Sequence, residues 1–167
     1  MAEKEPIIKE KLNHSGIFDF KAFYGFAHSW LKDEGFGVIE EKYSEKVSGN
    51  SRDILAVWII NKRLSDYFEI KGEIETEIKG LTDVEVEIDG ERKRMNKGNI
   101  SMEFKALLIM DPEGKWDVNA FYKFLRDVYN KYIIPNRVDN MREIIKNNII
   151  SLKEEIKAFL ELSGRRQ

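Results

Sequence analysis

One stretch constrains the fold more than any other. Across 66–79 the side chains alternate. Phe68, Ile70, Gly72, Ile74, Thr76 and Ile78 fall on one side, and Tyr67, Glu69, Lys71, Glu73, Glu75, Glu77 and Lys79 on the other. A period of two over this length is a β-strand with one dry and one wet face, which points to an antiparallel sheet. Ile100, Met102, Phe104, Ala106, Leu108 and Met110 mark a second long strand of the same kind. Between them, 84–96 reads as a hairpin, because Asp89-Gly90 suits a two-residue turn that needs φ > 0 at both positions. That turn sets Ile88 opposite Glu91, Glu87 opposite Arg92, Val86 opposite Lys93 and Glu85 opposite Arg94. Opposite charges then face each other twice, which supports the register. Asn96-Lys97-Gly98 is expected to turn the chain again.

Further strands are expected upstream, at 38–47 and 54–60, with a turn cluster at 48–51. Residues 54–60 are apolar at nearly every position, so this strand is either covered on both faces or meets a partner on its outer face. Helices flank the β region. Asp19 caps the first, at about 19–34, with Phe20, Phe23, Tyr24, Ala27, Trp30 and Leu31 at helical spacing and Gly35 placed to end it. After a turn at Asp111-Pro112-Glu113-Gly114, Trp116-Asp117 opens a second helix with the same cap-and-staple chemistry, carrying Phe121, Phe124, Leu125, Val128, Tyr129 and Tyr132. Pro135 stops it and starts a third helix, 135–162, with Val138, Met141, Ile145, Ile149, Leu152, Ile156 and Phe159 on one face. Ser163-Gly164 is read as its stop.

The expected fold is therefore α+β: one N-terminal helix, a five- to six-stranded antiparallel sheet of hairpins, and two C-terminal helices packed on one sheet face. A long C-terminal helix across a curved meander satisfies every stripe, an outline reminiscent of helix-grip folds with no family motif to accompany it. Residues 1–16 read as a polar leader, partly disordered; 17–162 as a single domain; 163–167 as a short basic tail. A chain of 167 residues buries roughly 70% of its unfolded surface and needs no staple.

Composition excludes several chemistries. There is no cysteine, so disulfides, thiolate zinc sites, iron–sulfur clusters and cysteine nucleophiles are ruled out. The first residues alternate Glu and Lys without an apolar core, unlike a signal peptide, and no run approaches the ~20 apolar residues of a membrane span. Cytoplasm is the default location. A net charge of −2 gives no overall basic field for nucleic acid. There is no Gly-x-Ser-x-Gly elbow, phosphate loop or cofactor motif, so no catalytic residue, metal ligand or cofactor is assigned.

The remaining candidates are surfaces and cavities. Glu69, Glu73, Glu75, Glu77, Asp83, Glu85 and Glu87 could crowd one sheet face, but Lys71, Arg92 and Arg94 lie close enough to neutralise several of them. His14 falls in the leader, and His28 borders the aromatic stripe of the first helix without a second ligand at i+4. Arg92, Arg94, Lys97, Lys123, Arg126 and Lys131 form a candidate basic patch if the fold brings them together. Trp58, Ile60, Leu107 and Ile109 form a candidate interface on the second sheet face. Phe20, Tyr24, His28, Phe104, Phe121 and Phe124 are the candidate lining of a cavity between sheet and helices. The favoured reading is a non-catalytic interaction or assembly module, homo-oligomeric or with a protein partner. The alternative is a small apolar-ligand or lipid-binding protein using that cavity. The second alternative is weak nucleic-acid binding through the basic helical face.

Overall fold

The computed structural model describes residues 3–114, 118–133 and 135–165. Its elements are β1 (Glu3–Phe18), α1 (Phe20–Asp33), β2 (Gly37–Ser48), β3 (Ser51–Arg63), β4 (Phe68–Ile88), β5 (Glu91–Met110), α2 (Ala120–Val128), a π-helical turn (Tyr129–Ile133) and α3 (Pro135–Arg165). The strands form one antiparallel sheet in the order β1-β5-β4-β3-β2. The expected α+β class holds, with one helix ahead of the meander and two after it.

Local chemistry explains the boundaries. Asp19 caps α1, its carboxylate accepting from the Ala22 N–H at 3.1 Å. Gly35, at φ +89°, takes the left-handed conformation that ends the helix. The β4–β5 turn has φ +53° at Asp89 and +81° at Gly90, and the ladder beside it pairs Ile88 with Glu91 and Glu85 with Arg94. That is the register read from the turn alone. The α2 cap is Asn119, whose side chain accepts from the Tyr122 N–H. Trp116-Asp117, expected to open α2, lies outside the described residues.

Several expectations are corrected. The polar leader is β1, paired with β5 from Glu3↔Met110 to Phe18↔Asn96. It escapes notice because it is an edge strand: Leu12 and Phe18 are its buried residues, too few to show a period. Asn96-Lys97-Gly98 does not turn the chain; β5 runs straight through it, and β4 likewise runs through 80–83. The ladder between them shifts only between Lys79 and Thr82. Gly98 serves that bulge, since a Cβ there would sit 3.2 Å from Leu81 Cα. Ser163-Gly164 does not stop α3, which continues to Arg165.

The core lies between one sheet face and α1 with α3. Phe23, Ala27 and Leu31 of α1 and Ile145, Ile149, Leu152, Ile156 and Leu160 of α3 pack on Ile70, Ile74, Ile78, Ile100, Phe104 and Leu108. Phe26 and Phe159 stack at 4.7 Å and join the two helices. Arg142 on Glu5 at 2.8 Å and Lys153 on Glu10 at 3.1 Å tie α3 to β1. The opposite face of the sheet, called the outer face below, carries neither α1 nor α3.

Candidate functional site

Cross-strand register sorts the predicted interface residues. Trp58 pairs with Ile74 and Ile60 with Gly72, so both point into the core and are buried. Leu107 and Ile109 have the opposite parity, opposite Lys71 and Glu69, and belong to the outer face. On β3 the outward residues are Leu55, Val57 and Ile59, one position out of phase with the expectation. A strand apolar at every position has no readable parity, and a slip of one residue exchanges its faces.

The predicted cavity residues are not gathered. Phe104 is fully buried mid-sheet. Phe20, Tyr24 and His28 sit along α1, where Tyr24 accepts from Trp58 Nε1 at 2.8 Å and donates to Glu40 at 2.5 Å, and the His28 ring meets Trp58 edge-on. Burial first, and then the Glu40 carboxylate, push the Tyr24 phenol well above its ordinary value, so it stays protonated. Phe121 and Phe124 stand on α2, exposed.

The basic patch is split as well. Arg92, Arg94 and Lys97 lie near the β4–β5 turn, whereas Lys123, Arg126 and Lys131 follow the far end of β5. From Arg94 to Met110 is on the order of 50 Å along a strand. The acidic block divides at the bulge. Glu73, Glu75 and Glu77 stay on the outer face, while Asp83 accepts from Asn96 and pairs with Arg52. Among the described residues no cluster of His, Asp and Glu is arranged to hold a metal ion. No helix among them is long and apolar enough to cross a membrane.

Sequence reasoning missed the orientation of α2. Its aromatic stripe reads as core, yet Phe121 is 64% exposed and Phe124 62%, with Val118, Tyr122 and Tyr132 exposed beside them. The residue it turns inward is Arg126, 3% exposed, facing the equally buried Asp111 at 3.8 Å. The helix is amphipathic with its aromatic side in water and Arg126 turned inside, the reverse of a core helix. Among the described residues, the main backbone neighbour of α2 is the π-helical turn that follows it. That turn is anchored by the Tyr67–Tyr129 edge contact at 5.8 Å.

A second feature lies on the outer face, where β1, β5, β4 and β3 border a depression of about 590 Å³. Pro6, Ile7, Ile59 and Leu107 make it apolar, and Lys4, Lys9, Lys71, Lys105 and Glu73 surround it. A register shift between Pro6 and Ile8 places Ile7 there. Lys9 and Lys105 both reach Glu103, at 3.4 and 3.1 Å. The hydrogen bond from Lys105 is the main cause that holds Glu103 below the usual carboxylate range and raises Lys105 in turn. Lys4 and Lys71 form no ion pair among the described residues.

No family model matches this chain, and no curated protein or solved structure matches it at a significant level. The fold and its surfaces define it as an α+β sheet-and-helix domain whose α2 exposes Phe121 and Phe124.

Proposed function

We propose that this protein is a non-catalytic assembly module, that α2 is its docking element, and that its partner is a second copy of the chain. The carrying observation is the reversed helix: Phe121 and Phe124 stand in water while Arg126 is buried. Exposed aromatic clusters of this kind mark contact surfaces.

Self-pairing is supported by the charges on α2. Two copies packed antiparallel about Leu125 place Lys123 of one beside Asp127 of the other, twice, with the Phe124 rings near the axis. This is the self-complementarity that a twofold interface requires. A net charge of −2 offers little long-range repulsion to oppose it. Four aromatics exposed by about half contribute roughly 500 Å² per copy. The total of about 1,000 Å² sits at the lower bound of a specific interface. A dimer that dissociates on dilution is therefore expected.

Sedimentation velocity and native mass spectrometry across micromolar concentrations test this. The wild-type chain should dimerise, and the Phe121→Ser/Phe124→Ser double variant should be monomeric with an unchanged circular dichroism spectrum. Both side chains are exposed, so their loss should not unfold the protomer. A wild-type monomer at every concentration would overturn the reading.

A further inference from the structure

We infer that the outer-face depression is a binding site for a small amphipathic anion, a single carboxylate or phosphate carried on an alkyl or acyl chain. The site lies on the side of the sheet away from α1 and α3, and does not involve α2. Three observations meet there. The volume, about 590 Å³, is within the range of roughly 300–1,000 Å³ typical of small-ligand pockets. The walls are Pro6, Ile7, Ile59 and Leu107, which suit a hydrocarbon chain. By register Gly72 and Ala106 point to the core, so what they offer the outer face is backbone, leaving room above it.

Charge decides the headgroup. Four lysines and one carboxylate surround the depression, so its rim is net positive. Lys9 and Lys105 are already engaged by Glu103, whereas Lys4 and Lys71 have no ion-pair partner among the described residues. By register these two flank the β5 pair Ile109 and Leu107 from opposite sides: Lys4 opposite Ile109, and Lys71 opposite Leu107. An anionic head between their ammonium groups leaves its chain free to lie along Leu107 toward Ile59. A cation would meet the same lysines and be repelled. A neutral chain would gain the apolar contact alone.

The test uses the full chain and four ten-carbon probes below their micellar concentrations: decanoate, decyl phosphate, 1-decanol and decyltrimethylammonium. Calorimetry gives affinity, and methyl resonances of Ile59 and Leu107 give location. Decanoate or decyl phosphate should bind at one site and shift those methyls, and their ratio identifies the headgroup. Decyltrimethylammonium should not bind, a comparison that needs no variant. Lys4→Glu/Lys71→Glu should weaken the anions about tenfold or more, equivalent to ~1.4 kcal/mol, while 1-decanol affinity stays within about twofold of wild type. Equal binding of anion and cation, or shifts confined to core methyls, would overturn the inference. So would self-association of the Phe121→Ser/Phe124→Ser protein that the lysine reversals abolish, because the outer face would then belong to a second copy. Loss of dimerisation alone leaves this site untouched, so the two proposals fail separately.

Discussion

Arg126 decides which way α2 faces. Its guanidinium is buried against Asp111, and no other residue of α2 is buried. Truncating Arg126 takes a buried cation away from a buried carboxylate, at a cost of up to about 3–5 kcal/mol. Arg126→Ala should therefore lower the urea midpoint well beyond an exposed control such as Lys123→Ala. Equal effects would mean that the pair does not hold the helix. His14 sets a separate pH dependence, one that comes from burial and not from an ion pair. It lies on β1 by Phe18, with Nε2 buried and without a hydrogen-bond partner. Burial lowers its pKa from the ordinary 6.5, with Glu161 opposing. The folded state thus favours the neutral ring. Its stabilising effect is complete above about pH 6.5 and is lost as pH falls below that value, where the unfolded chain takes up a proton that the folded chain resists. The difference in thermal midpoint between wild type and His14→Asn should shrink from pH 7.5 to pH 5. A constant difference would show that folding leaves the His14 pKa unshifted.

At the scale of elements, what could be read was periodic or carried by a turn. The β4 alternation and the Asp89-Gly90 turn yielded register to the residue, because each is a local rule. Gly72 shows what local rules miss. It takes a place in the β4 alternation like any small residue, yet a Cβ there would lie 2.7 Å from the Lys105 carbonyl oxygen and 3.0 Å from Ile60 Cγ1. That crowding comes from two other strands and leaves no trace nearby in sequence. The carbonyl belongs to the sheet backbone and cannot swing aside as a flexible side chain would. Gly72→Ala should cost about 1–3 kcal/mol by chemical denaturation, as overpacking does. Substitution without loss would mean that β4 and β5 can separate there at little cost. The reversed α2 was illegible for a related reason. Periodicity shows that a helix has two sides, but only the burial of Arg126 against Asp111 shows which one faces inward.

For the whole molecule, the decisive question is whether residues 3–18 are dispensable. Read alone they are a charged leader; in the fold they are the strand that closes the β5 edge and seats α3. More than a hundred residues separate the partners Glu3 and Met110, so nothing local could announce the pairing. Three kinds of interaction depend on β1: its ladder to β5, the buried Leu12 and Phe18, and the ties Glu5–Arg142 and Glu10–Lys153 to α3. The two ion pairs are part-exposed, so each contributes at most about 1 kcal/mol. Full burial of Leu12 and Phe18 is worth roughly 1.5–3 kcal/mol each, and the ladder satisfies β5 backbone groups that would otherwise form an open edge. Together these rival the 5–15 kcal/mol that holds an ordinary domain folded. A chain lacking residues 1–13 loses Leu12, both ion pairs and most of the ladder. It should lose its cooperative thermal transition, and α3 should become sensitive to trypsin. A disordered leader would predict the reverse, a truncated chain with the same midpoint and the same protease resistance. That result would remove β1 from the fold and leave α3 held by β5 and α1 alone.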